Sequence, residues 1–145
     1  MSRLTTLAAA FTVVLATTLT AYAHVNPADV AERCVAHIDR VSDRTHNAVA
    51  DSTQDCVADI RRLLQAGRED AAHAVARRCA QDGRETVRRA SAEIRDSRSE
   101  CVRYLNSVGA NQLARRVYNH ADEILSELET LLDRQQQILT DALNG

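Results

Sequence analysis

From Val30 onward, apolar or small side chains recur at steps of three and four: Val30, Cys34, Ile38, Val41, Thr45 and Val49, then Cys56, Ile60 and Leu63. Such steps place one stripe of side chains on one face of an α-helix. Many of these positions repeat at eleven residues, as in 34, 45, 56 and 38, 49, 60. Eleven residues make three turns of about 3.67 residues each, so this helix is expected to run nearly straight or to coil slightly right-handed. Its start is written in Asn26-Pro27-Ala28-Asp29, with an Asn cap, Pro at the first helical position and an acid in the first turn. Asp51-Ser52-Thr53 is a candidate kink. Nearer the C-terminus the pattern changes to a heptad. Val117, Ile124, Leu131 and Ile138 lie seven apart, with Ala121, Leu128, Gln135 and Ala142 interleaved.

Two glycines divide the pattern. Gly67 and Gly109 sit in similar surroundings, Leu63-x-x-x-Gly67-x-x-x-x-Ala72 and Leu105-x-x-x-Gly109-x-x-x-x-Ala114. Each reads as a helix C-terminus, a left-handed glycine cap and a new helix. The expected elements are three helices, over roughly 27–66, 69–107 and 110–143. The two corners resemble the helix-turn-helix corner of tetratricopeptide-type repeats, over about ten residues at each site. The other signature positions of that family are missing, so the resemblance implies a corner geometry and no function.

The four cysteines, Cys34, Cys56, Cys79 and Cys101, are spaced 22, 23 and 22 apart. The pairs 34/101 and 56/79 share a midpoint between Gly67 and Arg68. Twenty-two residues are about six turns plus 40°, so Cys34 and Cys56 share a helix face about 33 Å apart, beyond the reach of a disulfide. Nested pairing, Cys34–Cys101 and Cys56–Cys79, fits a hairpin that reverses at Gly67. Sequential pairing needs turns near Thr45 and Ala90; the second has neither Gly nor Pro, and Gly67 and Gly109 would go unexplained. Gly83, reflected through the same midpoint, faces Ser52, so two small residues are expected to meet between the rungs. The topology resembles the twin-CX9C coiled-coil-helix proteins, in which two nested disulfides also clamp a helical hairpin. With a spacing of 22, the likeness implies geometry only. A redox role is disfavoured because no C-x-x-C pair is present, and a tetrathiolate metal site because the pairs lie far apart.

Charge follows the same three blocks. Residues 24–59 carry 3 Arg against 7 acids, 60–116 carry 13 against 7, and 117–145 carry 1 against 6. A basic middle helix between acidic neighbours suits an up-down-up antiparallel bundle, a general plan shared with spectrin-type bundles. The expected fold is therefore all-α, a three-helix bundle held by two nested disulfides. The chain has no Trp and a single Phe, so burial rests on Ala, Leu, Val and Ile, which suits slim helix-on-helix packing.

The first residues read as an export signal. Arg3 is followed by an uncharged run from Leu4 to Ala23 that closes on Ala21-Tyr22-Ala23, a small-x-small cleavage pattern. Cleavage would leave a single domain, 24–145, in the periplasm or outside the cell, where an even cysteine count makes a disulfide framework. An uncleaved anchor is the weaker reading, given the six threonines of the stretch. No later run is long enough to cross a bilayer, so no transmembrane segment is expected after cleavage.

The remaining chemistry is sparse. All 18 basic residues are Arg, which excludes lysine nucleophiles and Schiff bases. The arginines Arg77, Arg78, Arg84, Arg88, Arg89, Arg95, Arg98 and Arg103 are interleaved with Asp82, Glu85, Glu93, Asp96 and Glu100, the pattern of a solvated helix. The cleaved chain would carry seventeen arginines against twenty acids, a net charge of −3, a poor balance for nucleic acid. Such a face retains an option on anionic lipid or cell-wall polymer. Cleavage would make His24 the N-terminal residue, as in exported histidine-brace copper proteins, which sets up a copper-binding alternative. His37 and His120 are the candidate partners, expected at similar height on the first and third helices, with a solvated surface role as the simpler reading. His73 is expected to be exposed. No Ser-His-Asp set, phosphate loop or H-E-x-x-H motif is present, so no enzyme activity and no cofactor are expected.

The functional expectation is an exported structural or protein-interaction module, with a protein partner or self-association. Val117, Ile124, Leu125, Leu131, Leu132, Ile138 and Leu139 form a stripe wider than one helix seam needs. That stripe is the candidate partner contact.

Overall fold

Asn26 begins the first helix by accepting a hydrogen bond on its side-chain oxygen from the Ala28 N–H at 3.0 Å, while Pro27, lacking an N–H, sits where none is needed. The protein, seen in a computed structural model that describes residues 25–145, is built of α1 (Pro27–Gln65), α2 (Glu69–Ser107) and α3 (Asn111–Asn144). All three helices pack on one another, up-down-up. The residues read as an export signal, together with His24, lie outside the described residues.

The expected boundaries agree with the structure to within a residue, and the reason is visible at both corners. Gly67 and Gly109 have φ of 68° and 76°, a region that a side chain makes costly. The Arg68 N–H donates to Leu63 O at 2.9 Å and the Gly67 N–H to Leu64 O at 2.9 Å. At the second corner the Ala110 N–H donates to Leu105 O at 2.8 Å and the Gly109 N–H to Asn106 O at 3.1 Å. These are two copies of one Schellman cap. Each next helix then opens with Ala72 N–H to Arg68 O, or Ala114 N–H to Ala110 O.

Both expected disulfides are present, Cys34–Cys101 and Cys56–Cys79, each joining α1 to α2 with a Cα–Cα separation of 6.4 Å. The helix α3 has no covalent tie. It is held by its buried face, to which the interleaved heptad positions Ala121, Leu128, Gln135 and Ala142 all contribute, while the other half of the heptad departs from it. Along the series Val117, Ile124, Leu131, Ile138, the side chains go from fully buried to partly buried to 48% exposed. A straight helix drifts about 20° per heptad, and this series has left the core by Ile138, whereas Ala121, Leu128, Gln135 and Ala142 remain within the buried face. The eleven-residue series Val117, Leu128, Leu139 stays inside. The same period holds in α2, where Ala72, Gly83, Ile94 and Leu105 are all buried.

Asp51-Ser52-Thr53, the candidate kink, interrupts no helix: α1 runs unbroken through it. Thr53 turns its hydroxyl back to Val49 O at 2.6 Å, as Thr45 does to Val41 O at 2.7 Å, so both occupy core positions without an unpaired donor.

The core falls into two parts. Toward the Gly109 end lies a cluster that includes Ile38, Val41, Val49, Ile94, Leu105, Val117 and Leu128. Toward the Gly67 end lies a smaller one of Ile60, Ala72, Ala76, Cys79, Leu139 and Ala142. Between them is a polar layer. Gln135 of α3, 3% exposed, donates from Nε2 to Thr53 Oγ1 at 3.2 Å and to Cys79 O at 3.4 Å. Its amide lies over Gly83, where a Cβ would meet the Gln135 amide at under 3.0 Å. Gly83 therefore makes room for the Gln135 amide, a partner on α3 that the pairing of Gly83 with Ser52 does not include.

Candidate binding grooves

Three slim helices leave grooves along their seams. In the seam between α1 and α3 near the Gly109 end, Ala28, Ala31, Val35, Ala36 and Leu113 line a depression of about 160 Å³, with Glu32, Asp39 and Arg116 around it. It shares Val35 and Arg116 with a wider, open depression of about 690 Å³ that also takes in Gln112, Arg115, Asn119, His120 and Glu123. His120 Nε2 and Asp39 Oδ1 meet at 2.6 Å across this seam.

His37 turns instead toward α2, with Nε2 3.5 Å from Glu93 Oε1, an oxygen that Arg44 also reaches at 3.2 Å. The two histidines that sequence reasoning paired as metal candidates thus serve different seams. Each faces its own carboxylate because Asp39 and His37 lie on opposite flanks of the α1 core stripe. Among the described residues no group of three His, Cys, Asp or Glu side chains is placed to hold a metal ion.

The seam between α2 and α3 is stitched near the Gly109 end by Arg98. Its guanidinium carbon lies 4.5 Å from the centre of the Tyr118 ring, and a terminal nitrogen is 3.7 Å from Asp122. The Arg98 side chain is only 18% exposed, so its stem packs while its head pairs. Arg95, Ser126 and Glu129 complete that groove. Farther along the same seam, toward the Gly67 end, a groove of about 400 Å³ is floored by Ala76, Ala80, Leu139 and Leu143 and edged by His73, Arg77, Arg84, Gln81, Gln136 and Thr140.

The charge blocks explain less of this than expected. Arg98–Asp122 runs from basic α2 to acidic α3, but the contacts between α1 and α2 run the other way, from Arg44 and His37 to Glu93. Arg88 and Arg89 spend their charge within α2, both on Glu85 at 2.8 and 2.7 Å. Their hydrogen bonds draw the Glu85 carboxyl down to about 2, and the same contact raises Arg88 above its ordinary value.

The stripe proposed for a partner is largely consumed by the bundle itself. Val117, Ile124, Leu125 and Leu139 are buried, and Leu131 and Leu132 pack against the core. Ile138 alone of the seven stands exposed, and it lies apart from Val108 and Tyr118, which are exposed toward the Gly109 end. The stripe looked too wide for one seam because α3 serves two, against α1 and against α2. Gln135 already stands in the interleaved heptad of α3, a polar residue at an apolar position, and that is the one sequence signal of the polar layer.

No family model matches the chain, and neither the curated proteins nor the solved structures contain a match to it.

Proposed function

We propose that this chain is an exported, non-catalytic helical rod that works in the periplasm or outside the cell as a structural or protein-interaction module. The observation that carries the reading is the pair of nested disulfides across α1 and α2. Such bonds persist in oxidising compartments, and the sequence before His24 has the form of an export signal. Helices of 39, 39 and 34 residues make a rod about 50–60 Å long. Its ionisable groups are spread over the surface in pairs and small salt-bridged clusters, an arrangement that supports a surface role over a catalytic one. No helix among the described residues is long and apolar enough to cross a membrane.

Peptide mapping without reduction tests this reading on protein recovered from outside the cytoplasm. Cleavage after Arg places the cysteines on peptides 34–40, 45–61, 79–84 and 99–103. The expected result is 34–40 linked to 99–103, 45–61 linked to 79–84, and an N-terminus at His24. Free thiols in a cytoplasmic fraction would overturn it. Sedimentation then separates the partner classes: association that Ile138→Asp weakens points to a second copy. A monomer at high concentration leaves a different protein as the partner.

A further inference from the structure

The groove between α2 and α3 near the Gly67 end differs in charge from the other grooves. Those between α1 and α3 carry Glu32, Asp39 and Glu123, and the upper α2–α3 groove carries Asp122 and Glu129. The lower α2–α3 groove has no carboxylate in its lining, yet it has three cationic or titratable groups, His73, Arg77 and Arg84. Neither Arg77 nor Arg84 has a carboxylate partner among the described residues, whereas Arg88 and Arg89, one turn on, share Glu85. The nearby Asp141 of α3 is engaged by Gln137 Nε2 at 2.8 Å.

The floor has the opposite character. Ala76 and Leu139 are buried at its base, and Ala80 and Leu143 are partly exposed beside them. On α2, His73, Arg77, Ala80 and Arg84 follow steps of four, three and four, so they form one stripe about 16 Å long. On α3, Gln136, Leu139 or Thr140, and Leu143 form the facing stripe. The small side chains of Ala76 and Ala80 are what leave the trough open. The trough, about 400 Å³, is open along its length, so an occupant would lie along the surface with one side in water.

We infer that this groove binds a single-chain anionic amphiphile of the fatty-acid type, its acyl chain along Ala76, Ala80, Leu139 and Leu143 and its carboxylate at Arg77 and Arg84. The cations lie along one rim, so the headgroup is held in solvent while the chain covers apolar surface. Gln81, Gln136 and Thr140 supply hydrogen bonds at the edge. This site is separate from the partner reading above and does not depend on it.

The test is titration of the disulfide-intact protein with dodecanoate below its micelle concentration, followed by amide and methyl NMR. Saturable shifts confined to Ala76, Ala80, Leu139 and Leu143 and their neighbours are expected. The double variant Arg77→Gln/Arg84→Gln, at exposed positions, should keep its Tm and bind about tenfold more weakly. Leu143→Gln should weaken binding as well, and acetate should produce no saturable shift. Equal binding of dodecyltrimethylammonium, or unchanged affinity in the arginine double variant, would overturn the proposal in favour of unselective apolar contact. Binding to anionic vesicles without any response to monomeric dodecanoate would overturn it in favour of a membrane surface.

Discussion

The two ends of this bundle solve the same packing problem with different materials. At the Gly109 end, fifteen buried residues form one cluster rich in branched aliphatic side chains; at the Gly67 end the cluster has six, and only Ile60 and Leu139 among them are large. Burial of a large aliphatic side chain contributes about 1.5–3 kcal/mol, and an alanine much less. The Gly67 end therefore leans more on the Cys56–Cys79 bond. The same small side chains that thin its core open the groove between α2 and α3. Thin packing and an accessible trough are one feature seen from inside and outside.

Removing the disulfides is the strongest way to probe that difference. On the loop-entropy view, opening the 23-residue separation costs about 3 kcal/mol and the 67-residue one about 4 kcal/mol, less whatever the inner bridge already constrains. Cys34→Ala/Cys101→Ala is thus expected to lower global stability at least as much as Cys56→Ala/Cys79→Ala. Local effects should be reversed. Loss of the inner bridge is expected to raise amide exchange around residues 56–80 and 135–144 first, with the Gly109 end still protected. Uniform loss of protection in both variants would mean that the ends unfold as one unit.

Next in size are the core truncations. Leu128 is fully buried in the larger cluster, surrounded by side chains that have little freedom to collapse, and Leu128→Ala is expected to cost about 3–4 kcal/mol. Leu139 borders the open groove, where solvent and neighbouring side chains fill part of any cavity, so Leu139→Ala should cost about 2 kcal/mol. Urea denaturation of both variants measures the gap. Equal costs would remove the packing contrast on which the comparison stands.

Much of this fold was legible in the sequence because a few residues had only one good explanation. Gly67 and Gly109 stand where a left-handed cap is required, and the cysteine spacing has one reflection that a hairpin satisfies. The stripe on α3 was legible as apolar but not as core, since seven-residue and eleven-residue steps coincide over the first turns and part only by Ile138. Cross-helix ion pairs were less accessible still. Their partners depend on which flank of a helix meets which neighbour, and block charge averages that away. The grooves escaped notice for a related reason: an alanine in a sequence does not announce whether another helix or solvent lies over it.

The polar layer supplies a sharper and smaller test. Gly83 costs helix stability of about 1 kcal/mol relative to Ala, yet a Cβ there would collide with the Gln135 amide. Gly83→Ala is expected to destabilise by about 1–2 kcal/mol as Gln135 loses its bonds to Thr53 and Cys79. In a Gln135→Ala background the same change should stabilise by up to about 1 kcal/mol, so the double-mutant cycle reverses sign. Gln135→Met, close in shape, leaves Thr53 bonded to Val49 and should alter stability by about 1 kcal/mol or less. Its larger effect is expected in the sharpness of NMR signals, because a buried polar contact fixes the register of α3 against the hairpin. A Gly83→Ala variant that is stabilised alone would show that the amide moves aside freely and that the two clusters are not separated by a specific layer.

The smallest effect belongs to Glu85, on the outer face of α2 beside that layer. Arg88 and Arg89 hold its carboxyl at about 2, below an ordinary 4.5. A carboxyl depressed in the folded state stabilises above its unfolded value and loses that contribution as pH falls through the folded one. The window is therefore about 4.5 down to about 2. The pairs lie within one helix and in open solvent, where screening leaves them little net effect. Glu85→Gln is expected to lower Tm slightly at neutral pH and low salt, less as pH falls toward 2, and not at all below it or in high salt. Carboxyl NMR should find the Glu85 titration near 2. A midpoint at the ordinary glutamate value would mean that Arg88 and Arg89 do not hold it in solution, and both arginines would then join Arg77 and Arg84 as unclaimed charge along α2.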